Sequence, residues 1–225
     1  MNMSNIVSQP LLEEVGQVIV LEAAHGEHRY NYLQQCLKKA HDCGVTTWLL
    51  NCDRTMGGSW AGLKDLLAEI LPQVQAQAPD LIIKHDYELT RVLPELRRLI
   101  SVRYPSLTDI ATEKEQNRNY PADRASRIIH GIIDFLTAWF ERSQTSCLII
   151  ACDNYDFSGG LVRIFFAELM RRRANKLNLA LLVAVSNEAV KMPAIKDVIG
   201  KFNQDSLHYF SINLPISTTT EISRQ

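Results

Sequence analysis

Short apolar runs recur along the chain and alternate with segments in which apolar residues return at helical spacing. Runs at residues 17–21, 46–50, 147–152 and 179–185 are typical of strands buried in a parallel sheet, and an alternating run at 207–214 predicts a fifth strand. Helical spacing predicts helices at 28–43, from 63 to about 72, at 121–140 and at 161–173. Two further helices are predicted between residues 78 and 104, with a break at Pro94.

The order of these elements predicts an α/β fold. A mainly parallel five-stranded sheet is covered by helices on both faces, which gives a three-layer sandwich with a helical insertion at about residues 60–143. We interpret residues 1–225 as a single domain, since this length suffices for one sizeable core. No segment approaches the ~20 apolar residues that span a bilayer, so no membrane protein is predicted.

Local signals predict where several elements begin, end and face. Gly44 is placed to end the first long helix, and Ser59, after two glycines, is placed to cap the next one. Pro72 should lie near the end of that helix, and Ile164 should line the core side of the helix at 161–173. The polar stretch at 106–120 predicts a mobile surface loop.

Composition and charge limit the classes of partner and compartment. The formal net charge of −1 gives no general attraction to nucleic acid or anionic lipid. A basic cluster at residues 171–173 with Lys176 is interpreted as the solvated end of a helix in preference to a nucleic-acid patch. The start of the chain lacks the features of a secretory signal, which predicts a cytoplasmic location, and the five cysteines lack a paired Cys-x-x-Cys motif, as structural thiols would.

Several segments together resemble one family. They are the strand at 18–22 with the loop after it, the strand at 48–52 ending in Cys52, the Gly-rich turn at 57–63, the run at 147–156, the helix at 160–169, and the segments at 181–187 and 213–217. In this order they resemble the nucleotide-binding core of the signal-transduction ATPases with numerous domains, relatives of the AAA ATPases. The resemblance covers nearly the whole chain and implies a P-loop NTPase-like domain. In the family a lid and a winged helix follow this core, and since the sequence runs only to Gln225 we expect a core without them.

The resemblance assigns roles to the loop after the first strand. Ala23 falls at the first glycine of the phosphate loop, Gly26 lies inside it, and His28, Arg29 and Tyr30 replace the second glycine, the lysine and the Mg²⁺-binding hydroxyl. Only the positive charge of the lysine survives. Two interpretations stay open: residues 25 and 27–29 form a solvated polar turn, which we favour, or they contact an altered ligand or a partner.

The resemblance also assigns roles to the acidic end of the third strand. Asp153 corresponds to the acid that holds the metal, whereas Asn154 replaces the acid that activates water. Asp156 either substitutes for that acid or caps the next helix near Ser158, and the capping role is favoured. Asn187 corresponds to the sensor position, although a lone Asn is also a common turn residue.

These replacements lead to three functional hypotheses. The first is a catalytically silent ATPase-like domain that acts as a regulatory or protein-interaction subunit, with no tightly bound cofactor. The second is a noncanonical switch or slow ATPase that binds ATP or ADP with Mg²⁺ through Arg29 and Asp153. The third is assembly with an intact ATPase or signalling protein, or with further copies of the chain. Binding to membranes or nucleic acid is not expected.

Overall fold

The strands form as the apolar runs predict. A computed structural model of the protein describes residues 16–23, 26–100, 121–186, 199–202 and 207–211, and all structural statements below refer to these. The strands are Val18–Ala23 (β1), Thr46–Asn51 (β2), Leu148–Asp153 (β3), Leu179–Ser186 (β4) and Leu207–Ser211 (β5). Side chains in β3 and β4 are buried along their whole length, as in strands covered on both faces.

The helices occupy the intervals between the strands. They are Glu27–Asp42 (α1), Arg54–Gly57 (α2), Leu63–Gln77 (α3), Pro79–Lys84 (α4), Asp86–Val92 (α5), Pro121–Arg142 (α6) and Gly160–Arg173 (α7), with 3₁₀ turns at Gly58–Trp60, Pro94–Arg98 and Tyr155–Phe157. Gly44 follows α1 with φ of +83°, a left-handed conformation that glycine adopts without strain, and its N–H bonds to the carbonyl of His41. The predicted end of this helix is therefore confirmed.

The sheet is parallel, and its strand order is β2-β3-β4-β1-β5. The predicted α/β fold with a parallel sheet is confirmed. Two strands, β3 and β4, lie between β1 and β2, although β1 and β2 are consecutive in the chain. This separates the fold from the Rossmann and flavodoxin orders, in which those two strands are neighbours. The loops after β1 and β3 consequently lie at one edge of the sheet with β4 between their strands.

Alternate residues of the strands supply two cores. Val18 and Val20 of β1 face a large core that contains side chains of α3, α5, α6 and α7, whereas Ile19 and Leu21 face a smaller core that contains side chains of α1. The period of two in a strand produces this division, because successive side chains point to opposite faces. Helices therefore cover both faces of the sheet, and the layers number three.

Several local predictions were wrong. Pro72 lies inside α3, and Gly62, not Ser59, occupies the position before that helix. Ile164 lies on the outer side of α7 with 37% of its surface exposed. By contrast, the two helices predicted after residue 78 do form, and a 3₁₀ turn begins at Pro94, where the break was expected. The loop predicted at 106–120 lies outside the described residues.

The cysteines and the helices were also examined for links and membrane spans. Five free cysteines are present, of which Cys36, Cys52 and Cys152 are buried. In the part of the chain that the structure describes, no helix combines the length and apolar character needed to cross a bilayer.

We predict that Gly62→Ala destabilises the protein by about 2–4 kcal/mol in urea unfolding. Gly62 has φ of +77°, and a Cβ there would lie 3.1 Å from Cys52 Sγ and 3.2 Å from the carbonyl oxygen of Asn51. Gly58→Ala is the matched control, because Gly58 has φ of +75° but open space around the added methyl group. Its cost should be limited to backbone strain, about 1–2 kcal/mol. Equal losses for the two variants would show that α3 does not need this close approach.

Candidate functional site at the carboxyl edge of the sheet

The carboxyl ends of the strands bring polar residues together at one edge of the sheet. Ala23 of β1 pairs with Ser186 of β4, and Asn51 of β2 pairs with Asp153 of β3. Parallel strands point their carboxyl ends the same way, so the segments that follow them share this edge. The polar residues described there come from β2, β3 and β4 and from the start of α1.

Arg29 is fully buried at this edge, with 0% of its surface exposed. It lies in the first turn of α1, which begins after Gly26 in a conformation (φ 130°, ψ −168°) that essentially requires glycine. Its Nε donates to Asp153 Oδ1 over 2.7 Å, and its Nη2 donates to Asn154 Oδ1 over 2.5 Å. The interpretation of Arg29 as part of a solvated turn is therefore wrong. A carboxylate buried at the end of β3 needs a countercharge, and Arg29 supplies it.

Asp153 and Asn154 extend this pair into a network. Only 7% of Asp153 is exposed, and its Oδ1 also accepts the backbone N–H of Asn154 over 2.9 Å. Asn154 adopts a left-handed conformation with φ of 55°, which an Asn tolerates better than most residues. Its Nδ2 donates to Asn51 Oδ1 over 3.0 Å, so the network runs from α1 through β3 to β2.

Asn51 was missed by the sequence analysis. Its Oδ1 accepts from Asn154 Nδ2 and from the backbone N–H of Asp53 over 3.1 Å. The available signal was a polar residue directly after a buried apolar run, at the strand end where parallel sheets place their sites. Asp53 itself caps α2, since its Oδ1 accepts from Thr55 N over 2.8 Å.

His28 and Tyr30, which were also assigned to the phosphate loop, lie on the exposed side of α1. His28 is exposed on α1, and Tyr30 is 42% exposed with its hydroxyl accepting from Gln34 Nε2 over 3.1 Å. Successive residues on a helix point about 100° apart, which explains why Arg29 is buried whereas His28 and Tyr30 are exposed. Asn187 lies outside the described residues, so its role stays a prediction.

Asp156 lies beside the end of β4. Its Oδ2 accepts the backbone N–H of Ser186 over 3.1 Å, while its Oδ1 is buried without a hydrogen-bond partner. The predicted helix cap was wrong: Gly159 precedes α7, and no side chain caps that end. Arg163 organises this turn instead, donating to the Asp156 carbonyl over 2.8 Å and to Ser158 Oγ over 3.1 Å. Asp156 therefore ties the turn after β3 to β4.

Two thiols adjoin the site from the large core. Burial raises the pKa of the Cys152 thiol well above its ordinary value, and its neighbour Cys52 adds to the effect. A protonated thiol is a poor nucleophile and a poor metal ligand, so Cys152 serves packing. Among the residues that the structure describes, no three His, Cys, Asp or Glu side chains group as metal ligands would.

Comparison with known proteins leaves the family open. No protein-family model matches the chain, and no curated protein matches it. Among solved structures, a chain of Drosophila ORC bound to DNA aligns with a TM-score of 0.45 and 15% identity over 98% of this chain and 93% of its own length. A chain of Drosophila ORC bound to AT-rich DNA and Cdc6 aligns with a TM-score of 0.41 and 12% identity over 93% of this chain and 56% of its own. These TM-scores are too low to assign the chain a function or a family.

We predict that Arg29→Met costs about 3–5 kcal/mol in free energy of unfolding, because it leaves the buried carboxylate of Asp153 without a countercharge. Asp153→Leu should be costly for the converse reason. The double variant should be less destabilised than the sum of the two by about 1–3 kcal/mol, since no buried charge remains. Urea unfolding followed by circular dichroism measures all three. Strict additivity of the single losses would show that the two side chains do not depend on each other.

Proposed function

We propose that this chain is a catalytically silent ATPase-like domain of the P-loop class that acts as a regulatory or protein-interaction subunit. The observation that carries the proposal is the buried pairing of Arg29 with Asp153 and Asn154. Arg29 stands where the resemblance requires the phosphate-binding lysine, and Asp153 stands where it requires the metal-binding acid. In this chain the two residues neutralise each other.

The meeting of these residues supports the assignment to the P-loop class. Arg29 and Asp153 are 124 residues apart in sequence and their side chains are 2.7 Å apart in space. A phosphate loop and an acidic strand must face the same nucleotide, so their ends must converge in this way. The finer assignment to the signal-transduction branch has no support beyond the sequence resemblance and stays a prediction.

The same geometry fits MgATP poorly. A guanidinium that turned toward a phosphate would leave Asp153 buried without its countercharge, a loss of about 3–5 kcal/mol. Tyr30 points its hydroxyl toward Gln34 along the helix surface, and no aliphatic hydroxyl replaces it at the position that holds Mg²⁺. His28 carries a side chain where close approach to phosphate needs a bare backbone.

The replacement of the second acid argues against hydrolysis. Asn154 holds the position that would activate water, and an amide cannot accept the proton. Its Oδ1 and Nδ2 are in addition committed to Arg29 and Asn51. The carboxylate of Asp156, two residues further along the chain, accepts a hydrogen bond from the backbone N–H of Ser186. A domain of this kind acts through the surfaces that it presents to other proteins.

One observation favours an alternative, a noncanonical switch that binds ATP or ADP. The Nη1 of Arg29 is buried without a hydrogen-bond partner, and Arg29 lies in the first turn of α1. The N-terminus of a helix favours anions, because its first N–H groups lack intrahelical acceptors. A phosphate oxygen there could accept from Nη1 while Nε stays on Asp153. A partner that is itself an intact ATPase or signalling protein is compatible with either proposal.

We predict that isothermal titration of the protein with MgATP and with MgADP gives no saturable heat, so that any Kd is weaker than about 1 mM. Phosphate release should equal that of buffer. Micromolar binding together with steady hydrolysis would exclude the silent domain.

If binding without hydrolysis is observed, two variants test the alternative. Arg29→Ala and Asp153→Asn should then each abolish the heat, because the alternative needs both side chains. Arg142→Ala is the matched control, since this exposed arginine is paired with Asp80 in the helical region and lies outside the network. An affinity that neither site variant changes would place the nucleotide elsewhere and remove the alternative.

A further inference from the structure

A surface cleft of about 500 Å³ lies between α6 and α7, separate from the network around Arg29. Ile129 forms part of its lining from α6, and Leu161 and Ile164 contribute apolar side chains from α7. At the other end the lining is polar and contains His130, Glu168 and the arginines at positions 171 and 172. The cleft is thus apolar at one end and charged at the other.

The apolar end exists because α7 carries more hydrophobic side chains than the core accepts. Val162, Phe165, Phe166 and Leu169 are buried against the sheet and the neighbouring helices. Leu161 and Ile164 fall on another face, three residues apart, and 37% of Ile164 is exposed. Residues with this spacing lie side by side on a helix and form one continuous apolar strip.

The charged end keeps an excess of positive charge. The carboxylate of Glu168 accepts from Arg171 Nη2 over 2.5 Å and from Arg172 Nε over 2.8 Å, so one acid serves two guanidinium groups. These hydrogen bonds, chiefly that of Arg171, lower the pKa of Glu168 to about 2. Glu168 is therefore ionised near neutral pH and holds both arginines in place. His130 Nε2 lies 3.6 Å from the same carboxylate and would add positive charge when protonated.

The rest of the basic cluster does not share this excess. Arg173 is paired with Asp134 at 3.0 Å, and Lys176 is paired with Glu141 at 2.5 Å. Both acids belong to α6, so the first pair joins α6 to α7 and the second joins α6 to the turn that follows α7. The surplus charge is confined to the end of the cleft, and it is accompanied there by an apolar strip that a polyanion such as nucleic acid would not use.

We infer that the cleft between α6 and α7 is a docking site for a short amphipathic helix of a partner protein, which inserts apolar side chains over Ile129, Leu161 and Ile164 and places a carboxylate against Arg171 and Arg172. The inference rests on the proposed function in one respect, that the chain acts through protein contacts, and it names the surface and the chemistry of the partner.

The shape of the cleft favours a helix. His130 and Asp134 follow one another along α6 as their partners Glu168 and Arg173 do along α7, so the two helices run in the same direction. A groove between two such helices accepts a third through residues spaced three and four apart. Ile164 and Arg171 are separated by two helical turns, roughly 11 Å. The carboxylate of the partner is therefore expected about two turns from its apolar anchor.

The experiment is a selection from a displayed library of random peptides about 16 residues long, enough to form a helix on binding. The full chain is the target, and Ile164→Asp is used for counter-selection. Enriched peptides should carry apolar residues three or four apart and a Glu or Asp about two turns from them. In fluorescence anisotropy, Ile164→Asp should weaken an enriched peptide at least about tenfold.

Reversing the charges of Arg171 and Arg172 distinguishes recognition of the peptide carboxylate from nonspecific binding. The double variant Arg171→Glu/Arg172→Glu should lose the acidic peptide and bind the same peptide with its acids changed to lysines. Arg142→Glu is the matched control, because it reverses an exposed arginine of α6 outside the cleft. Circular dichroism checks that each variant is folded. If Ile164→Asp does not fold, the charge-reversal variant alone tests whether the peptide binds in the cleft.

Three results would overturn the inference. The first is a set of enriched peptides that lack acidic residues, or that bind Ile164→Asp and Arg171→Glu/Arg172→Glu as tightly as they bind the wild type. Another is a wild-type dimer in light scattering that Ile164→Asp makes monomeric, since a second copy would then fill the cleft. The third is a mixed-sequence oligonucleotide that competes with the peptides for Arg171 and Arg172. Neither ATP nor ADP enters these assays, so their outcome is independent of the MgATP titration that tests the proposed function.

Discussion

The contact between Arg29 and Asp153 is the constraint on which the carboxyl edge of this protein depends. A carboxylate at the end of a strand as deeply buried as β3 is stable only with a partner of opposite charge. Arg29 provides that charge from the first turn of α1, and Asn154 and Asn51 carry the hydrogen bonds on to β2. One ion pair thereby joins the segments that follow three strands.

Under the proposed assignment to the P-loop class, this arrangement would account for a loop after β1 that no longer binds phosphate. In a working site the cation and the acid are kept apart by the nucleotide and its metal ion, and each interacts with the ligand. In this chain the guanidinium of Arg29 contacts Asp153 directly. This internal contact at the edge of the sheet supports the silent domain proposed above.

The carboxyl edge of the sheet and the outer face of α7 differ in what they expose. The charges of Arg29 and Asp153 are buried at the carboxyl edge, whereas α7 leaves apolar side chains and two arginines at the surface. α7 packs against both the sheet and α6, and the ion pair of Arg173 with Asp134 joins the two helices at the surface. Two packed helices with an open apolar strip between them are a suitable platform for another helix.

The sequence by itself determined the parallel α/β sheet, the main helices and the end of α1 at Gly44. Runs of apolar residues and helical spacing specify these because strands and helices have fixed periods. The family resemblance placed Arg29, Asp153 and Asn154 among a larger set of candidate residues, but the favoured interpretation of Arg29 was a solvated turn. The errors of the sequence analysis at Ser59, Pro72 and Ile164 concern caps, helix length and the side of a helix that the core covers, which depend on neighbouring elements and not on local pattern.

Only the tertiary structure decided what the site residues do. The polar residues after β1 were interpreted as a solvated turn. The sequence does not show that Arg29 contacts the carboxylate of Asp153, which lies 124 residues further along the chain. The sequence also did not reveal the role of Asn51, which depends on the register of β2 with β3. Charges are buried or exposed according to what the fold brings beside them, and that is a property of distant segments meeting in space.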